Sequence, residues 1–376
     1  MKLLLVTTSY PSADEGSAAA GLFVRDFAEA LMHQGAEVEV VAPATENHRD
    51  QGGKLRITRF AVPRLPLSLL SPVRPGDWPA IVQTLAVGRH AVMQSCAQNR
   101  PDHVFALWAL PSGAWARRAA QRFSIPYSIW ALGSDIWGLG QVPVIHNRLA
   151  GVLRDARHCF ADGIGLAAEV QKISGRECRF LPSSREFGPP GQRHPSSVPP
   201  YRLAFLGRWH PNKGSDLLLD ALALFTESEW ARTEAVRLCG GGPLESAMRK
   251  KAEALADTGY PVILGGYLDR AAARELFEWA DYVVIPSRIE SIPVVFSDAM
   301  QMHRPVIATP VGDLPDLIAR FGCGIVADEV SAPGLAGALR QALTVCPARF
   351  QNELAAAAEA MQIQTAAAGF LSAIRT

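Results

Sequence analysis

Two acids eight positions apart, Glu290 and Asp298, dominate the stretch Pro286-Ser-Arg-Ile-Glu-Ser-Ile-Pro-Val-Val-Phe-Ser-Asp-Ala-Met300. The preceding Tyr282-Val-Val-Ile is short, apolar and partly β-branched, as a buried strand is. Pro293 suits the first turn of a following helix, where a missing N–H costs nothing. The spacing predicts strand, loop and helix, with Glu290 at the carboxyl end of the strand. That edge is where open α/β sheets bind ligands. Asp298 lies a little over two helical turns on. A loop carboxylate, free N–H groups over Ser291, Ile292, Pro293 and Val294, and a second carboxylate make a holder for hydroxyls and phosphate.

A second chemical cluster follows the strand Tyr201–Gly207. Arg208 and Lys213 flank a turn, and Ser215 or Asp216 is placed to cap the next helix. Two fixed cations near a helix start can clamp a diphosphate, Arg208 as a planar fork and Lys213 as a point charge. On a turn taken by itself they suit solvation better than a ligand; the strand–loop–helix context and the acids downstream favour phosphate. Negative charge growing on a departing phosphate would be stabilised there. The spacing is not that of a Walker loop. Gly240-Gly-Gly-Pro243 and Gly265-Gly-Tyr-Leu268 supply two more loops after strands.

These segments resemble the retaining glycosyltransferases with the GT-B fold, of the group 1 and family 4-like type. The stretch from Glu290 to Asp298 is similar to their acidic-x7-acidic signature, with Asp298 one methylene shorter than the usual Glu. Arg208 to Gly214 is similar to their G-R-x4-K-G loop, which follows Gly207, and Gly241 stands in their Gly-x-Gly-Pro. The resemblance implies Arg208 and Lys213 on the donor diphosphate, Glu290 on the sugar hydroxyls and Asp298 on the ribose. It also implies that the loop of Tyr267 borders the base. In the first half Trp108, Pro111, Ser112, Gly113, Gly133, Ser134 and Asp135 match, and imply an acceptor-side cleft. The family's histidines do not match: Phe105, Leu107 and Leu132 stand in their places. Of the family's glycine pair after the first strand only Gly21 remains, either an ordinary helix start or a backbone approach to phosphate. Asp135 is open between capping a turn and touching substrate.

The implied activity is metal-independent transfer, with retention, from a UDP-, GDP- or ADP-sugar to a glycan or lipid-linked acceptor, without a cofactor. No D-x-D triplet, the usual metal-holding signature of the other large glycosyltransferase fold, occurs in the sequence. The missing histidines and the short Asp298 motivate an alternative: a sugar-nucleotide-binding or scaffolding protein that has lost transfer. The acid/base carboxylates and histidines of a sugar-nucleotide epimerase are not found.

The chain has 376 residues, 48% apolar and 19% charged, enough for two or three domains. A net charge of +1 gives no case for nucleic acid as a partner. Residues 1–190 are mildly basic, with 20 Lys/Arg against 16 Asp/Glu. The start is not a signal peptide, no run reaches a membrane-span length, and six scattered cysteines lack C-x-x-C spacing. These features predict a cytoplasmic protein with buried thiols. Between Phe60 and Trp78, apolar residues alternate with arginines and four prolines. Such a loop either covers its own domain or meets a lipid-linked acceptor or the inner face of a membrane.

The elements that must position the chemistry follow from the alternation. Lys2–Val6, a helix from Gly21 to His33 closed by Gly35, and Val38–Ala42 form a βαβ unit without a dinucleotide fingerprint. Strands and helices alternate to Pro182, a Pro/Gly/Ser-rich stretch over 183–200 reads as a linker, and a second βα series runs to 350. The expectation is an α/β protein: two doubly wound Rossmann-like domains, 1–190 and 201–350, facing a cleft. An Ala-rich helix over 351–376 is expected to return to the first domain by resemblance.

Overall fold

The computed structural model describes residues 1–11, 21–50, 55–138, 143–191 and 193–375. The chain forms two units, Met1–Pro182 with Ile363–Thr376, and Ser183–Gln362.

The first unit holds strands β1 (Lys2–Val6), β2 (Glu37–Ala44), β3 (His48–Asp50), β4 (Leu55–Ala61), β5 (His103–Leu107), β6 (Tyr127–Ala131), β7 (His158–Ala161) and β8 (Cys178–Phe180). They form one sheet in the order β3-β4-β2-β1-β5-β6-β7-β8. The pairings are parallel except β3 with β4. Helices α1 (Leu22–His33), α2 (Trp78–Asn99), α3 (Ala114–Phe123), α4 (Pro143–Asp155) and α5 (Ile164–Ser174) connect them. Neither β3, β4 nor α2 is legible in the hydrophobic period.

Parallel strands covered on both faces must be apolar on both. In β1, Leu4 and Val6 join one core with Val104, Ala106 and Ile129; Leu3 and Leu5 join the other with Val38, Phe105 and Trp130. The C-terminal helix Ile363–Arg375 completes this second core. Its Phe370 lies against Phe27, Phe105 and Phe160, with ring centroids 5.8, 4.1 and 5.5 Å away.

The second unit holds β9 (Tyr201–Leu206), β10 (Thr233–Cys239), β11 (Val262–Gly265), β12 (Tyr282–Ile285), β13 (Val306–Ala308) and β14 (Gly324–Val326). All pair in parallel, in the order β11-β10-β9-β12-β13-β14. Its helices are α6 (Ser215–Leu222), α7 (Glu227–Trp230), α8 (Glu245–Ala256), α9 (Arg270–Trp279), α10 (Val294–Gln301), α11 (Leu314–Phe321), α12 (Ala332–Thr344) and α13 (Gln351–Ala360). The order reverses between β10 and β12, on either side of β9. A crevice at such a switch point is the usual ligand seat of an open sheet.

Three local expectations change. The Ala-rich tail is two helices, α13 with the second unit and α14 (Ile363–Arg375) with the first, broken at Met361–Gln362. Residues 183–188 are packed as part of the second unit, not free in solvent: Ser183, Ser184 and Phe187 are buried. Helix α6 begins at Ser215 after Gly214, and neither Ser215 nor Asp216 caps it by a side-chain bond. Cys159, Cys239 and Cys323 are buried free thiols, as expected.

Candidate functional site

The loops leaving β11, β10, β9 and β12 lie side by side, because those strands are neighbours. Backbone hydrogen bonds stitch the loops together. Gly240 N–H donates to the carbonyl of Gly266 (3.0 Å), Trp209 N–H to that of Gly241 (2.8 Å), and Arg288 N–H to that of Asn212 (2.7 Å).

Lys213 and Glu290 meet here. The Lys213 ammonium forms an ion pair with Glu290 Oε1, and both side chains retain solvent access. Ser287 Oγ adds a long hydrogen bond to the same oxygen (3.4 Å). The turn can approach so closely because residue 214 is glycine: its φ is +66°, and a Cβ there would strike the Pro286 carbonyl. Gly312 lies against the Glu290 and Ser291 carbonyls in the same way. Thr309 Oγ1 donates to the Ser287 carbonyl, bracing the loop from β13.

Arg208 is exposed, and its guanidinium makes no ion pair or hydrogen bond among the described residues. Its field is felt nearby. His210 is held below its ordinary pKa by burial first and then by Arg208 and Lys213. Thus three basic groups crowd one turn, one of them neutral and one already paired.

Sequence reasoning missed a second clamp. Arg288 pairs with Asp216 through both guanidinium nitrogens (2.8 and 2.9 Å). Burial acts most strongly on the Asp216 carboxyl and would raise it, but Arg288 and backbone N–H groups together leave it below its ordinary value. This pair ties the start of α6 to the loop before α10. Nothing in the sequence signals it, since the two lie 72 positions apart.

The start of α10 differs from expectation. Pro293 caps the helix in an extended conformation and Val294 is its first residue. Pro293 has no N–H to offer, so the group narrows to its neighbours. No hydrogen bond among the described residues takes the N–H of Ile292, Val294 or Val295, whereas Phe296 N–H is spent on the Pro293 carbonyl (2.8 Å). The Ser291 hydroxyl is buried and unpartnered. The hydroxyl of Ser215, also buried, is unpartnered too. Unsatisfied donors at two adjacent helix starts suit an anion.

On the other side of Arg208, the chain passes through Gly207 and returns through Gly241. A Cβ on Gly241 would lie 2.6 Å from the Tyr267 ring. Tyr267 is exposed, offering a flat apolar face beside the glycines.

Asp298 has no access to solvent. Its carboxylate is gripped by Arg185, with Arg185 Nε 3.2 Å from Oδ1 and a second guanidinium nitrogen on Oδ2. Gln301 Nε2 holds the Arg185 carbonyl (2.9 Å), and the Arg185 guanidinium lies 5.2 Å from the Phe187 ring centre. The face of α10 that bears Asp298 therefore anchors residues 183–188, and the shorter acid reaches a cation supplied by the apparent linker.

The first unit carries the remaining candidates. Trp108 leaves β5 with φ +68° and packs edge-on to Phe23 (6.1 Å). Asp135 is buried and accepts from Ala109 N–H (2.5 Å) and Leu132 N–H (3.3 Å). It ties together the loops after β5 and β6. Burial pushes its pKa up to about 6, against the lowering by these N–H groups. Gly133 lies beside Trp137 within this second loop: a Cβ there would be 3.3 Å from the Trp137 ring. Gly21 opens α1 with φ +78°, a Cβ there lying 2.7 Å from the Ser9 carbonyl oxygen. Ala20 and the rest of segment 12–20 lie outside the described residues. Phe105 and Leu107, at the positions of the family's histidines, are wholly buried core, and Leu132 packs beside the same core.

Two Rossmann-like units, one with charged side chains gathered at its strand tips, define a doubly wound α/β protein. The family model described as "Glycosyl transferases group 1" matches residues 200–345, and "Glycosyl transferase 4-like domain" matches residues 19–179. The D-inositol 3-phosphate glycosyltransferase of Corynebacterium aurimucosum is 33% identical over 170 residues. The match covers 44% of this chain and 40% of that relative, so the chain spans less than half the relative's length. A teichuronic acid biosynthesis glycosyltransferase of Bacillus subtilis, TuaC, whose assignment is itself putative, is 24% identical over 94% of this chain and 90% of its own. Among solved structures, HepE of Anabaena in complex with UDP superposes with a TM-score of 0.73 at 15% identity, covering 100% of both chains. The chain belongs to the GT-B glycosyltransferases of the group 1 and family 4-like type.

Proposed function

We propose that the protein is a retaining, metal-independent glycosyltransferase that moves a sugar from a nucleotide-diphosphate sugar to a glycan or lipid-linked acceptor. The observation that carries this reading is the meeting of Lys213 with Glu290 beside the unpaired Arg208, at adjacent strand tips. Arg208 and Lys213 hold the diphosphate, and Glu290, released from Lys213 as phosphate enters, takes the sugar hydroxyls. The free N–H groups at the start of α10 take phosphate or sugar, and Tyr267 flanks the base. HepE, of the same fold, binds UDP, which supports a nucleotide donor. The relatives' printed activities support glycosyl transfer.

In the proposed reaction the bond from the anomeric carbon to the phosphate oxygen breaks. The acceptor oxygen bonds to the same face of that carbon, and its proton passes to the departing phosphate. Arg208 and Lys213 stabilise the charge that grows there, a task metal ions perform elsewhere. The proposed setting is cytoplasmic, at the inner face of the membrane. Among the described residues no helix is long and apolar enough to cross a membrane.

A second reading, sugar-nucleotide binding without transfer, is favoured by one observation: Asp298 is covered by Arg185. A thermal-shift screen of UDP-, GDP- and ADP-sugars finds the donor, since a bound ligand stabilises by mass action. Donor hydrolysis or transfer by the same preparation then separates the readings. Tight binding with neither would overturn the transferase.

A further inference from the structure

The loops that carry Lys213 and Glu290 leave two strands that part before their tips. β9 and β12 are in register at only two positions, Leu203 with Tyr282 and Ala204 with Val283, although β9 runs on to Leu206 and β12 to Ile285. On their other sides the pairing continues to the end, β9 with β10 through Leu206 and β12 with β13 through Ile285. The sheet therefore opens between β9 and β12, at its switch point. The ladder there does not set how far the Lys213 turn stands from the Glu290 loop.

Arg288 bridges that gap. Its N–H donates to the Asn212 carbonyl (2.7 Å). Its guanidinium donates to the Pro211 carbonyl (2.7 Å) and to both carboxylate oxygens of Asp216 (2.8 and 2.9 Å). These acceptors lie on either side of Lys213, and Arg288 stands two positions before Glu290. Beyond these bonds, only the Lys213–Glu290 ion pair and a long bond from the Ile289 N–H to the Asn212 carbonyl (3.4 Å) join the two loops among the described residues. A planar fork can meet a carboxylate and a carbonyl at once; a lysine in its place would keep the charge and lose the geometry.

As a stability device the pair is poorly placed. The Arg288 side chain is 34% exposed and that of Asp216 22%, and solvated pairs contribute little to folding. Reacting groups are far more sensitive: a displacement of about 1 Å can cost on the order of 100-fold in rate. We infer that Arg288 is a positioning residue for glycosyl transfer. Its guanidinium is committed to protein oxygens, with Asp216 as anchor, and it sets the separation at which Lys213 and Glu290 meet the donor. The inference rests on the transferase reading above.

The test is steady-state turnover of Arg288→Ala, Arg288→Lys and Asp216→Asn beside wild type, with the donor found by the thermal-shift screen. Each variant should lose about tenfold or more in kcat. Donor KM should change less, because Arg208 and the free N–H groups of α10 are untouched, and the thermal unfolding midpoint should stay close to wild type. Millimolar guanidinium chloride, compared with equal sodium chloride, should restore part of the kcat of Arg288→Ala and none of that of Glu290→Gln, since the small cation can bridge to Asp216 again. An Arg288→Ala enzyme with wild-type kcat overturns the inference. So does a loss of kcat that guanidinium does not restore and that only follows a fall in the unfolding midpoint. A wild type that turns over no donor is a different failure: it overturns the transferase reading, and this inference with it.

Discussion

Lys213 and Glu290, 77 positions apart in the chain, form one ion pair on adjacent strand tips. The Lys213 side chain is 38% exposed and that of Glu290 13%, so the pair is open to water, and to a ligand's charges, from the lysine side. An anion drawn to Lys213 frees Glu290 to accept hydroxyl protons. A structural pair would be expected deeper in the fold, as Asp298 and Arg185 are.

Glu290→Gln and Lys213→Ala should each lower kcat about 100-fold or more, the usual scale for removing one group that meets transition-state charge. Thermal unfolding should move little. Steady-state rates with the donor found by the thermal-shift screen check this, and near wild-type turnover would remove the assigned roles.

Arg185→Ala removes the guanidinium that grips the buried Asp298 carboxylate. The expected loss is roughly 3–5 kcal/mol of stability. Arg185→Leu combined with Asp298→Leu should recover most of it, since the charge is then gone. Denaturant midpoints of the three proteins decide; a tolerated single alanine would mean that Asp298 finds another partner.

Gly214→Ala puts a methyl group into the Pro286 carbonyl at a left-handed φ. A destabilisation of at least about 2 kcal/mol follows from the strain and the overlap together. Turnover should fall as well, because the same shift parts Lys213 from Glu290. A variant with wild-type stability and rate would show that the turn closes by another route.

Asp135 gives a pH signature. Its pKa rises from an ordinary 3.8 to about 6 on folding, so the fold favours its protonated form. The stability this contributes is full below about pH 4 and is lost as pH rises through about 6, on the order of 3 kcal/mol. As pH rises from about 4 to about 6, wild type should lose stability relative to Asp135→Asn, read from the unfolding midpoints of both proteins. Parallel curves would contradict the shift.

Much of this was legible because local rules and the fold agree. The apolar strands, the glycines after them and the charged loops at 208–214 and 286–294 each follow from their own neighbourhood. The clamp between Arg288 and Asp216 and the grip of Asp298 on Arg185 did not, because they join segments 72 and 113 positions apart. Arg185 stands in a stretch whose prolines and glycines read as linker, and only its buried partner reveals it as packed chain. Helix α2 escaped notice because small and polar residues such as Thr84, Gly88 and Ser95 fill its buried face while Trp78, Val82 and Leu85 stand exposed on the adjoining flank, which blurs the period by which helices are read. The tail read as one helix because alanine propensity runs through Met361 and Gln362, and nothing local marks the break.

The last helix, Ile363–Arg375, brings Phe370 into the aromatic nest formed by Phe27, Phe105 and Phe160. On the ribosome, that nest stays open while the whole second sheet is being synthesised. A nascent chain of the first 182 residues must wait with its rings bare, a natural client for a chaperone. Removing residues 363–376 should therefore yield insoluble protein, although every strand is still encoded.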